Sequence, residues 1–142
     1  MRRAIRAAVQ AYGLPPDARI TVAFIDDEEM RALNKRYRKS DETTDVLSFG
    51  QPVARAKGEA AVRRLARDAD GELEVGDIVI SAAQAARQAK RRKHRLGREI
   101  AFLAAHGALH LLGFEDETPA GYREMVRLGT AATDEGVAAS RG

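Results

Sequence analysis

His106 and His110 stand four residues apart in an almost uncharged stretch, AFLAAHGALHLLGF. On a helix that spacing is one turn, so both imidazoles project from one face, as they do when a single helix supplies two nitrogen ligands to one metal ion. Gly113 can turn the chain back in a left-handed conformation, which brings Asp116 toward a third ligand position. Two imidazoles and one carboxylate, with a water in the fourth place, make an open zinc site of catalytic type holding one Zn2+ per chain. The chain has no cysteine and three histidines, the other being His94, so any transition-metal site draws on imidazole and carboxylate alone. Two alternatives stay open. Histidines at this spacing on an apolar helix are also compatible with hydrogen-bonded core residues. The acids Glu115, Asp116 and Glu117 are also compatible with a solvated turn favouring the next helix, and any of the three is a candidate third ligand. His106 is followed by Gly107 and not by Glu, so the helix lacks the general base of the H-E-x-x-H proteases, and a peptidase is not expected.

The elements that must position these residues follow from periodicity. Residues 2 to 12 carry Ile5, Ala8, Val9 and Tyr12 at helical spacing, stopped by Gly13, Pro15 and Pro16. Residues 19 to 25, RITVAFI, read as a strand that passes straight into a helix over 27 to 36, with Asp26 and Glu29 spaced as a capping box. That helix carries Met30, Leu33 and Tyr37 on one face. A polar stretch leads to a second strand at 45 to 49. Residues 51 to 74 are irregular, with a possible short helix over 59 to 67. A third strand, GDIVIS, spans 76 to 81 and is followed by an Ala-rich helix to about His94, broken at Gly97. Residues 98 to 112 form a helix buried on most of its circumference and ended by Gly113. Thr118 and Pro119 start a last helix, expected to stop near Thr130 before a polar tail. The expectation is one layered α/β (α+β) domain over residues 1 to 142, with a small mixed sheet of three to four strands covered by about five helices.

At this point the motifs resemble a known family. His106-Gly-Ala-Leu-His110-Leu-Leu-Gly113-Phe114 is similar to the signature of the YbeY family of rRNA maturation endoribonucleases. Leu33-Asn34-x-x-Tyr37-Arg38-x-x-Asp41, with Thr44-Asp45-Val46-Leu47-Ser48-Phe49, resembles a second hallmark, and Gly76-Asp77-Ile78-Val79-Ile80 a third. All three stand in family order, within residues 19 to 128. The resemblance implies a metal-dependent, single-strand-specific RNA hydrolase of rRNA processing and ribosome quality control, acting on rRNA or ribosomal subunits without a small-molecule cofactor. It implies catalytic roles for Arg38, His106 and His110, with Arg38 meeting the substrate phosphate, and metal ligation by His106, His110 and Asp116. Two departures stand out. The family signature ends in Asp-His where this chain has Glu115-Asp116, so an aspartate takes the place of a third histidine. The family also begins with a strand before its first helix, which this chain lacks.

Basic residues number 24 against 21 acidic, a formal net charge of +3 that does not by itself imply a nucleic-acid partner. Their placement says more. Arg87, Lys90, Arg91, Arg92, Lys93, His94, Arg95 and Arg98 lie together on one helix and its end, enough positive charge to track several phosphates or simply a solvated face. No aromatic residue interleaves with them, so base stacking is not expected there. No apolar run reaches the roughly 18 residues that span a bilayer and no signal peptide is recognisable, so the expectation is a cytoplasmic protein without a membrane partner. The rival reading is a non-catalytic, RNA-binding ribosome-maturation factor whose metal site is structural.

Overall fold

The β-branched run Ile78, Val79, Ile80 forms the middle of the sheet, because residues that pack on both faces of a central strand bury the most apolar surface there. The structure is a computed structural model describing residues 1–38 and 44–141, the side chains of Arg38 and of 139–141 excepted. In chain order the elements are α1 (Arg2–Val9), a 3-10 turn (Gln10–Tyr12), β1 (Arg19–Ile25), α2 (Asp27–Arg38), β2 (Val46–Gly50), α3 (Glu59–Arg63), β3 (Glu74–Ser81), α4 (Ala82–Arg92), α5 (Leu96–Leu111) and α6 (Pro119–Arg141). The sheet order is β1-β3-β2, with β1 parallel and β2 antiparallel to β3. Among the described residues the sheet therefore has three strands and is mixed.

Alternation along β3 sends Ile78 and Ile80 to one apolar cluster and Val79 to another, and the register shift that skips Val75 brings that residue to the Ile78 side. Val75, Ile78 and Ile80 join the large one, built with α1, α5 and α6 around Leu103, Leu109, Leu112 and Met125. On the opposite face Val79 packs with Leu47 and Met30 of α2. Helix α5 is therefore enclosed between the sheet and the outer helices, and Ala101, Leu103, Ala104, Ala105, Ala108 and Leu109 are all buried. Such a helix holds its side chains on a rigid frame.

The joints are pinned by polar side chains. Asp26 Oδ1 accepts from the backbone N–H of Glu29 at 2.8 Å, which caps α2 as its spacing suggests. Ser81, at the end of β3, accepts from Gln84 N–H at 3.1 Å as the N-cap of α4 and donates to Asp27 Oδ1 at 3.1 Å. Two expected boundaries are corrected. Helix α4 ends where Lys93 takes a left-handed conformation and the His94 N–H reaches back to the Ala89 carbonyl, so Gly97 is no breaker and lies in the first turn of α5. Helix α6 does not stop near Thr130 but runs on to Arg141 and packs against α1. Tyr37 shares the helical face of Met30 and Leu33, yet it is 55% exposed while Met30 is buried completely.

Candidate metal centre

The two histidines project from α5 near its C-terminal end, half-buried. The chain then turns at Gly113, which has φ +87 and whose missing Cβ would run into the Ala56 carbonyl oxygen. Only glycine takes that conformation without strain and fits that approach. The turn returns Asp116 to the histidines. His106 Nε2 and His110 Nε2 are 3.2 Å apart, His106 Nε2 is 3.2 Å from Asp116 Oδ2, and His110 Nε2 is 3.4 Å from the same oxygen.

These three distances test whether a metal fits. A tetrahedral ion bound by nitrogen and oxygen at about 2.0 to 2.1 Å has its ligand atoms about 3.3 Å apart along each edge. The triangle matches one face of such a tetrahedron. The donor set is also right: His110 Nδ1 donates to the Phe114 carbonyl at 2.9 Å, which leaves a lone pair on Nε2 facing the other two groups. His106 is held differently. Its ring lies against Phe102, with centroids 6.0 Å apart, and its Nδ1 is buried without a hydrogen-bond partner among the described residues.

Burial, and then the neighbouring His110, hold the His106 pKa below its ordinary value, with Asp116 opposing them. Burial works to raise the Asp116 pKa, but the charges of His110 and His106 and the His106 hydrogen bond outweigh it and hold the carboxyl below the usual range. Both shifts favour the neutral imidazole and ionised carboxylate that a metal requires.

The structure brings His106, His110 and Asp116 together, the one such group of possible metal ligands among the described residues. The other two acids point elsewhere. Glu115 accepts from the Glu117 N–H at 2.7 Å and from Thr118 Oγ1 at 3.2 Å, so its carboxylate is engaged in the turn, and Glu117 stays exposed. The side chain of Arg38 lies outside the described residues, as do residues 39 to 43 with Asp41; the backbone of Arg38 ends α2. Gly107 has a packing reason: a Cβ there would meet Ile78 Cγ2 at 2.7 Å, so α5 lies too close to β3 for a glutamate at that position.

Two clefts meet at the group. One, of 410 Å³, includes Arg92, His94, Arg98, Phe102, His106 and Tyr122; the other, of 440 Å³, includes Tyr37, Phe49, His110, Glu115 and Glu117, and Asp116 lines both. Sequence reading passed over Tyr37 and Tyr122 as site residues: Tyr37 stands in the second hallmark beside Arg38 but reads as part of the apolar face of its helix, and Tyr122 belongs to no motif. Of the basic segment, Arg87 pairs with Asp27, Arg92 with the buried Glu99 and Arg98 with Asp134. Lys90, Arg91, Lys93, His94 and Arg95 are exposed, with no ion pair among the described residues.

Fold and site together define a class: small α+β proteins with a histidine and carboxylate group of metal-ligating type at the end of a buried helix. The sequence matches the family described as Endoribonuclease YbeY over residues 1–135. It is 41% identical to the endoribonuclease YbeY of Moorella thermoacetica over 125 residues, 88% of this chain and 77% of that protein. It is 39% identical to that of Geobacillus thermodenitrificans, again over 88% of this chain and 77% of the other. A Thermotoga maritima protein solved in solution shares the fold with a TM-score of 0.62 at 20% identity, covering 99% of this chain and 81% of that one. The chain belongs to the YbeY endoribonuclease family.

Proposed function

We propose that this endoribonuclease works with one zinc ion held by His106 Nε2, His110 Nε2 and Asp116 Oδ2, and that it cleaves single-stranded RNA in rRNA maturation and ribosome quality control. Its substrates in this reading are rRNA and ribosomal subunits, in the cytoplasm. The observation that carries the proposal is the convergence of those three atoms, with edges of 3.2 to 3.4 Å, between two clefts open to solvent. Zinc is the ion of choice because the donors are two imidazoles and a single carboxylate in a tetrahedral spacing, whereas magnesium and calcium favour six or more oxygens. When bound, the metal supplies a Lewis acid and an acidified water beside the phosphodiester. The protein's own part is to hold the donors still. Phe114 fixes the His110 tautomer, α5 fixes both rings, and the Gly113 turn sets the carboxylate. Arg38 is proposed to meet the phosphate charge of the substrate, a task that suits the two parallel donors of a guanidinium.

The test is elemental analysis after dialysis, together with cleavage of single-stranded and duplex RNA. Close to one zinc per chain and selective cleavage of the single strand are expected, both lost in a His106→Ala, His110→Ala variant. Full metal content in that variant would place the ion elsewhere, and undiminished cleavage would remove the centre from the chemistry. Arg38→Ala should lower cleavage strongly at unchanged metal content, and Arg38→Lys should restore only part of it. The rival role of non-catalytic RNA-binding factor predicts binding without cleavage in the same assay.

A further inference from the structure

Two of the exposed aromatic rings line the clefts at the triad. Among the described residues the exposed large hydrophobic side chains are Met1, Phe24, Tyr37, Leu96 and Tyr122. Tyr37 and Tyr122 are each 55% exposed, and they line different clefts that share one residue, Asp116. The two rings thus line separate clefts that meet at Asp116, with His110 lining the Tyr37 cleft and His106 the Tyr122 cleft. Tyr37 is braced: its ring and that of Phe49 meet in a T-shaped contact, with centroids 5.0 Å apart and an interplanar angle of 67°, and the Arg36 guanidinium sits 5.4 Å from its ring centroid. A braced ring at the surface is held in one orientation, so a base that stacks on it loses little to ordering the side chain.

We propose that a single RNA strand crosses the triad from one cleft to the other, with one base stacked on Tyr37 and another on Tyr122. The inference rests on the RNA-cleaving role proposed above and adds how the strand is recognised. Every base has a π-face, so stacking on tyrosine is tolerant of sequence. In a duplex those faces are covered by neighbouring base pairs, so only an unpaired strand with splayed bases reaches both rings. Single-strand preference then follows from the placement of two side chains. Carboxylates line both clefts: Asp45 and Glu99 stand on the Tyr122 side, where Arg92 and Arg98 are paired with Glu99 and Asp134, and Glu115 and Glu117 stand on the Tyr37 side. The neutral face of a base is not penalised by these charges, so stacking suits both sides.

The experiment measures kcat/KM on a fluorescent single-stranded oligoribonucleotide, with metal content measured in parallel. Tyr37→Ala and Tyr122→Ala should each lower it about tenfold at unchanged metal content, while Tyr37→Phe and Tyr122→Phe keep it within about twofold because the ring remains. Replacing the base at the matching position by an abasic site should make the corresponding alanine variant silent. Wild-type values in either alanine variant would overturn the two-sided path. So would a loss in the phenylalanine variants as large as in the alanine ones, which would assign the effect to the hydroxyl. Failure of the wild type to cleave any RNA would bring down the proposed function itself, a result read before any variant is made.

Discussion

The Phe114 carbonyl oxygen accepts the Nδ1 proton of His110 at 2.9 Å, so the residue just after the Gly113 turn decides which nitrogen of His110 is free to bind. Ligand tautomer and chain reversal are thereby one device. Gly113→Ala attacks it twice, through a left-handed φ that costs about 1 to 2 kcal/mol for an L-residue and through the collision of its Cβ with the Ala56 carbonyl. We expect a stability loss of at least about 2 kcal/mol by urea unfolding, with metal binding weakened in whatever remains folded. An alanine variant with wild-type stability and metal content would show that the turn has a different origin.

The histidine pair was legible because helical spacing is a local property, and the buried helix that carries it was legible from its near absence of charge. The third ligand, Asp116, was named on its spacing after Gly113 and on the resemblance, with Glu115 and Glu117 left open. Glu115, Asp116 and Glu117 are alike in sequence, and what separates them is that the Glu115 carboxylate is taken up by Glu117 N–H and Thr118 Oγ1 while Asp116 faces the rings. The length of α6 was misread for a related reason. Gly129 and Gly136 have low helix propensity, yet they are where the helix closes on Phe102 and Ala4, so tertiary packing overrides propensity. The two-cleft arrangement depends on residues as distant as Tyr37 and Tyr122, and no local pattern records it.

The acids of the turn can be told apart by metal affinity. Asp116→Ala should weaken zinc binding by roughly an order of magnitude or more, since an anionic donor is removed. Glu115→Ala should keep the metal while loosening the entry to α6, and Glu117→Ala should change neither. Asp116→His should retain zinc and move the rising limb of the activity profile to lower pH, because a neutral ligand donates less charge to the ion. Metal released by Glu115→Ala or Glu117→Ala but kept by Asp116→Ala would reassign the ligand.

The metal-free protein should lose stability in acid through His106. Burial and His110 hold its pKa below 6.5, so between that lowered value and 6.5 the unfolded chain binds more protons than the folded one. Stability then rises with pH across this window and is fully present above it. Chelated protein should therefore show a urea midpoint that falls as pH drops below 6.5, and His106→Gln should flatten that slope. An equal slope in the variant would assign the acid sensitivity to other groups.

The basic segment separates into residues that hold the fold and residues that are free to meet RNA. Arg92 pairs with Glu99, a carboxylate only 2% exposed, so removing the arginine strands a buried charge. Arg92→Ala should therefore lower thermal stability measurably, although solvent at the half-exposed guanidinium moderates the loss. Lys90, Arg91 and Arg95 are exposed, and their joint replacement by alanine should leave the melting temperature within a degree or two, as surface substitutions do. On single-stranded RNA each phosphate contact contributes about 0.7 to the slope of log affinity against log salt, so the triple variant should flatten that slope by about 2. An unchanged slope would make this helix solvated surface and would leave the clefts beside His106 and His110 to hold the strand by themselves.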